Sequence, residues 1–339
     1  MKTRLSIFAL LFVLVLTGCA KDNTETESKM VTVSVTMTSP EDDAATRVSL
    51  TPDSGTPQGL ILKWETTDKL MLCFEYNANY YHVDANIDPN SISANGKSAD
   101  FTFAIPPQIP SGATFNLYVV YQKTNGVGTD GGYFQPNTKI YDLEKTERDC
   151  ITLDQLSPTS QRGISRPMLY FEKSNIINTD NPDIGTIKLI HAGWIMAIHF
   201  KNITSGEIDL PEYIAFGKDN VNWVFNGDWY YVGTTSFDFS NHIFSYSISS
   251  TQGWLYLNIN EDNNSPLYRN RLAPGASIIF YRWVASGTSI PALDGDIWFP
   301  NWDSDTNSSM IPARTITYGK TYHVYTTWDG TNFNRTAQY

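Results

Sequence analysis

Residues 31–38 read Val-Thr-Val-Ser-Val-Thr-Met-Thr, an unbroken alternation of apolar and polar side chains. Val31, Val33, Val35 and Met37 point one way and Thr32, Ser34, Thr36 and Thr38 the other. Period two over eight residues specifies a β-strand with one buried face. The same signature recurs along the chain. Leu60 to Trp64, Lys69 to Tyr76, Tyr80 to Val83, Phe101 to Ile105 and Thr114 to Tyr121 are strand-like runs separated by Gly, Pro, Asn and Asp clusters. After an aperiodic Leu156 to Pro167 (LSPTSQRGISRP), strand-like runs resume through Thr321 to Thr326. Thr186 to Phe200 is long enough for a helix, but Gly193 and its β-branched residues favour two strands joined by a bend. The best helix candidates are short, Ala94 to Ala99 and Asp149 to Leu156. The expected fold class is therefore all-β, with β-sandwich domains at residues 31–165 and 166–339.

Ahead of the first strand the chain reads as an export signal. Lys2 and Arg4 precede a twelve-residue, nearly apolar run from Leu5 to Leu16. That is too short to span a bilayer and suits the core of a signal peptide. Leu16-Thr17-Gly18-Cys19 resembles the bacterial lipobox, in which the cysteine, here Cys19, receives a lipid before residues 1–18 are cut away. Residues 19–30 are polar and aperiodic, a tether between lipid and fold. The expected location is outside the cytoplasm, tethered to a membrane by that lipid.

The 339 residues carry 35 acidic against 24 basic side chains, a net charge of −11. This balance argues against nucleic acid as a partner. Aromatic residues are abundant, with 17 Phe, 19 Tyr and 9 Trp, as half-buried strands require. Cys73 and Cys150 remain besides Cys19. They can pair in an oxidising compartment, or Cys73 can stay a buried thiol in its apolar run LMLCFEY.

Four pieces, in order, resemble the fimbrillin family of Bacteroidota, which are subunits and accessory proteins of type V pili. A lipoprotein signal and alternating strand are followed by Ala45-Thr46-Arg47. Leu62-Lys63-Trp64-Glu65-Thr66-Thr67-Asp68-Lys69-Leu70 resembles the family's Trp-Glu-x-x-Asp-Lys element. Ile187 to Ala192 followed by Ile195 to Phe200 resembles the opening of its second domain, and Tyr318 to Tyr325 its closing strand. The resemblance implies two transthyretin-like β-sandwiches and a structural or adhesive, non-enzymatic role. Its partners would be other pilus subunits, or ligands on host or bacterial surfaces, in the fimbrium or at the outer membrane. For polymerising members it also implies cleavage between Arg47 and Val48, loss of the first strand as an edge strand, and filling of the vacated groove by a donated strand, whereas anchor and accessory members can keep the first strand and the lipid. Only Trp328 to Tyr339 follows the closing strand here. It is short and mostly polar, so an accessory, tip or stand-alone role is favoured over a shaft subunit.

A search for chemistry returns little. His82, His191, His199, His242 and His323 have no metal-ligand spacing, and no phosphate-binding or nucleophile motif occurs. No cofactor is expected. Asp303-Ser304-Asp305 begins like a calcium loop but lacks its glycine and glutamate; Asp294 and Asp296 could join a looser site, with a solvated acidic loop the plainer reading. The stretch Asp294 to Asp303 sets Trp298, Phe299 and Trp302 among carboxylates and amides. Trp298, Trp302, Asp303 and Asp305 are thus candidate glycan contacts, against the reading that the aromatics plug a sandwich end. Asn222 to Tyr231 has similar character. These residues support an alternative function, a surface glycan-binding lipoprotein for nutrient capture.

Overall fold

The computed structural model describes residues 29–37, 41–42, 63–122, 132–143, 151–152, 167–225, 234–247, 253–259, 271–300 and 304–337. Cys19, Arg47, Val48, Cys150, Trp302 and Asp303 lie outside the described residues. Within them the fold is all-β. The one helical element is a single 3-10 turn at Pro89–Ser91, and the helix candidate at 94–99 is a turn entering a strand. Strands are numbered in chain order.

Seven strands form a closed sheet: β1 (Met30–Met37), β3 (Lys69–Tyr76), β4 (Asn79–Ile87), β5 (Ser98–Ala104), β6 (Thr114–Gln122), β10 (Met168–Ile177) and β11 (Ile187–His191). They run in the order β1-β11-β10-β6-β3-β4-β5, and β5 returns to β1. The first of the two expected sandwiches is thus joined along its edges into a barrel. Closure removes the exposed backbone edges that sheets otherwise leave unpaired. Alternate residues fill its interior, among them Val35, Leu72, Phe74, Phe101, Leu117 and Leu189.

The expected domain boundary at residue 165 precedes two strands of the barrel in the chain. Strands β10 and β11 lie beyond that point yet complete the first sheet, and Ala192–Gly193 follows the last of its strands. The aperiodic stretch 156–167 lies in sequence between β9 (Ile151–Thr152), which pairs with β19 (Ser277–Val284) in the second unit, and β10 of the barrel. Gly193 then makes the expected bend. Its φ is +79°, and a Cβ there would stand 2.5 Å from the carbonyl oxygen of Val284. His191 and His199 therefore sit on different strands and different sheets.

The second unit is a two-layer sandwich. One layer holds β2 (Glu41–Asp42), β24 (Lys320–Trp328), β12 (Trp194–Asn202), β19 (Ser277–Val284) and β9 (Ile151–Thr152), in that order, with β25 (Phe333–Arg335) also on β24. The other holds β17 (Trp254–Asn258), β14 (Tyr213–Gly217), β21 (Leu293–Trp298) and β22 (Ser304–Ile311). Trp194, Phe200, Phe216, Leu257, Phe280 and Ile297 pack between them. Two short pairs complete the set, β13 (Ile208–Asp209) with β18 (Arg271–Leu272) and β20 (Ser289–Ile290) with β23 (Arg314–Thr315).

A small third sheet sits between barrel and sandwich. It pairs β7 (Tyr133–Phe134) and β8 (Ile140–Asp142) from before the connection with β15 (Thr235–Asp238) and β16 (Ile243–Tyr246) from after it. Phe134, Tyr141, Phe237 and Phe244 from this sheet share a core with Val120 and Met168 of the barrel and Ile195 and Trp283 of the sandwich. Glu75 clamps the hairpin to the barrel. It accepts from Tyr118 Oη at 2.6 Å and lies 3.5 Å from Lys139 Nζ. Burial raises its pKa, but hydrogen bonds from Tyr118 and Asn116, with the Lys139 charge, outweigh this and hold it below the usual carboxylate value.

Candidate functional site

Strand β1 is the element on which the sequence reading turns. Val31, Val33, Val35 and Met37 are buried in the barrel, as the alternation predicts. Each contributes roughly 1.5–3 kcal/mol of apolar burial. On the outer face the hydroxyls of Thr32 and Thr102 are 3.0 Å apart, and those of Thr36 and Ser98 are 3.2 Å apart.

The two flanks of β1 differ. It runs antiparallel to β5 over seven residue pairs, from Met30↔Ala104 to Thr36↔Ser98. It runs parallel to β11 over only three, Val35↔Ile187 to Met37↔Leu189. β1 is thus not the edge strand the sequence suggested. It is the closing strand of a barrel, and its weaker seam faces β11. Without it, Phe101, Phe103, Ile187 and Leu189 would lose their inward neighbours, and backbone groups of β5 and β11 would lose their partners. Downstream, Glu41 and Asp42 pair with Lys320 and Thr321, so the chain passes from the barrel to the sandwich before reaching Arg47.

The Trp-Glu-x-x-Asp-Lys element has a structural task. Trp64 packs edge-on against Phe101 and Tyr121, with ring centroids 4.7 and 4.9 Å away. Asp68 Oδ2 accepts the backbone N–H of Glu65 at 2.7 Å and closes the turn that admits the indole. Burial, followed by the Asp68 charge, raises the Tyr121 phenol well above its ordinary value. Beside this turn a cleft of about 790 Å³ opens, lined in part by Lys69, His82, Asp84 and Tyr133.

The C-terminal segment is part of the fold. Thr326↔Arg335 and Trp328↔Phe333 pair β24 with β25, and Phe333 is fully buried in the sandwich core. Asp305 Oδ2 accepts the Phe333 N–H at 2.7 Å, and Asn307 Nδ2 donates to the Phe333 carbonyl at 2.9 Å. Asp305 is therefore committed to the tail. On β22 it faces inward, opposite Ile297.

Trp298 lies on β21. It is half-buried on the outward face of β21, with Nε1 donating to Asp296 Oδ2 at 2.7 Å. Its ring is tilted against Tyr213 at 5.7 Å, and Tyr213 meets Tyr256 edge-on at 6.3 Å. Asp294 and Asp296 share this outward face while Asp305 turns inward, so these three carboxylates do not converge. No group of three or more metal-ligating side chains occurs among the described residues. Phe299 and Trp223 are core residues. The sequence reading missed Tyr213, Trp254 and Tyr256 on the same face. The period-two pattern of Trp254–Leu255–Tyr256–Leu257 was the available signal.

Cys73 is a buried, free thiol, the second of the two readings open to it in the sequence. His199 and His323 share a hydrogen bond of 2.8 Å, and the His199 ring stacks on Tyr325 at 4.2 Å. Burial, then His323, lowers the His199 pKa to about 3.

No family model matches the chain, and no curated protein matches it. Among solved structures, it is similar to a "putative cell adhesion protein" from Bacteroides ovatus, at 12% identity, with 91% of this chain and 96% of the other covered and a TM-score of 0.48. A "putative cell adhesion protein" from Bacteroides fragilis follows at 10% identity, 90% and 97% coverage and a TM-score of 0.40. A "putative adhesin" from Bacteroides ovatus has 6% identity, 91% and 96% coverage and a TM-score of 0.40. At such identities, with TM-scores below 0.5, these likenesses carry no weight for role.

Proposed function

We propose that this chain is a non-enzymatic cell-surface adhesin of the fimbrillin design that ends a fibre rather than extending one. It is exported as a lipoprotein on Cys19 to the outer membrane. Cleavage after Arg47 frees lipid, tether, β1 and β2 together, and a strand donated by a neighbouring subunit takes the place of β1. The observation that carries this reading is the seat of β1. Four apolar side chains fill the barrel, while only three residue pairs hold its seam with β11. Such a groove is specific for a strand and can be refilled by β-augmentation. The terminal position rests on the tail, whose Phe333 is buried and whose backbone is held by Asp305 and Asn307. A tail so committed accepts no donor role.

Mass spectrometry of the mature protein from its own cells, alongside a fibre preparation, tests this. The expected result is a chain starting at Val48 in the fibre fraction, with lipidated Cys19 chain as its precursor. A lipidated, uncut chain that never enters fibres would overturn the strand-exchange reading.

A further inference from the structure

We infer that the outer face of the sheet β17-β14-β21-β22 is a binding platform for neutral saccharide chains. The inference rests on the adhesin reading for its biological meaning, but uses none of the residues that seat β1. In these strands Ile214, Phe216, Leu255, Leu257, Leu293 and Ile297 face the core. Alternation turns Tyr213, Trp254, Tyr256, Asp294, Asp296 and Trp298 outward, and each is half-buried.

The pairing register arranges these outward side chains in rows. Gly217 lies between Trp254 and Asp294, Ala215 between Tyr256 and Asp296, and Tyr213 beside Trp298. The middle strand thus carries small residues, with aromatic rings on one side and carboxylates on the other. A Cβ at Gly217 would stand 2.5 Å from Cδ2 and 2.6 Å from Cγ of Trp254. The indole therefore lies across the Gly217 backbone. Its Nε1 donates to Asp219 Oδ1 at 3.0 Å, as that of Trp298 does to Asp296, so both rings are held in place by a carboxylate. From Gly217 to Tyr213 the platform runs about 13 Å, four residues of strand, which suits a short oligosaccharide.

The chemistry selects the ligand. Aromatic faces are negative and attract the polarised C–H groups of a sugar ring. Ionised carboxylates only accept hydrogen bonds, and each has more lone-pair sites than its indole or hydroxyl partners occupy. Sugar hydroxyls supply the missing donors, and bonds to an ionised acceptor are the stronger kind. The strand positions of this face hold Asp294 and Asp296 but no Lys or Arg. An acidic or sulfated saccharide would be repelled, so the fitting class is neutral.

The test uses the full mature chain with Cys19→Ser, so that no lipid is attached. Neutral oligosaccharides of glucose, mannose, galactose and xylose are titrated beside uronic-acid and sulfated chains, read by calorimetry and tryptophan fluorescence. The expected result is saturable binding of a neutral series that tightens with chain length. Trp254→Ala and Trp298→Ala should each weaken it roughly tenfold, the scale of one lost aromatic contact. Tyr133→Ala, an exposed ring elsewhere, should leave it unchanged. If a tryptophan variant fails to fold, Tyr256→Ala and Asp294→Asn carry the test. Binding of no neutral saccharide, preference for acidic chains, or a dimer abolished by Trp254→Ala would each overturn the platform. Cell adhesion that persists without saccharide binding overturns the platform alone; saccharide binding without any cell adhesion overturns the adhesin reading alone.

Discussion

His199 Nε2 and His323 Nδ1 stand 2.8 Å apart, close enough for only one proton between them. Burial, and then His323, hold His199 neutral in the native state, with its pKa lowered to about 3. The unfolded chain takes up that proton near pH 6.5. The stability that depends on a neutral His199 is therefore complete above about pH 6.5 and is lost progressively as pH falls toward 3. Urea melts should show a decline of up to roughly 1.4 kcal/mol per pH unit in this window, and His199→Phe should flatten it. An unchanged slope in that variant would contradict the assignment. At Cys73, burial and then Glu75 push the thiol up to about 12. Since the thiolate is the nucleophile, Cys73 should resist iodoacetamide at pH 8 in the native protein and react in guanidinium chloride. Rapid native alkylation, read by peptide mass, would contradict its burial.

Strand β1 and the β24–β25 hairpin are the elements that carry the functional reading. Val35 is fully buried against the barrel core, so Val35→Asp should destabilise the uncut chain by several kcal/mol, on the order of a buried unpaired charge. Asp305→Ala removes the acceptor of the Phe333 N–H and should cost about 1–3 kcal/mol in thermal or urea unfolding. It should leave saccharide binding intact, the opposite of the effect expected had Asp305 been a ligand contact. Much at this scale was legible in the sequence. Val31 to Met37 alternates and is a strand, and Gly193 is a bend. What was not legible concerns partners. Alternation shows which side of a strand is buried, but not which strand or sheet covers it. Hence β10 and β11 were read with the second unit although they close the first, and β1 was read as an edge although β11 lies beside it. Asp305 and Trp298 come from one short stretch, yet the strand pairing sends one to the core side and the other to the outer face.

At the scale of the whole molecule, barrel, wedge sheet and sandwich share a third core through Phe134, Tyr141, Phe237 and Trp283. The two ends of the described chain have different parts in this arrangement. The N-terminal strand completes a barrel through a short seam, and the C-terminal strand is built into the sandwich. On that asymmetry we propose that the molecule accepts a strand in place of β1, while its β25 stays built into the sandwich. The most direct measurement is to trim the purified full chain with an arginine-specific protease and follow its size by light scattering and denaturing gels. The account predicts that a chain beginning at Val48 stays monomeric, and that a subunit bearing a free C-terminal strand caps it one to one. Spontaneous growth of the trimmed chain alone into long, denaturant-resistant polymers would contradict it.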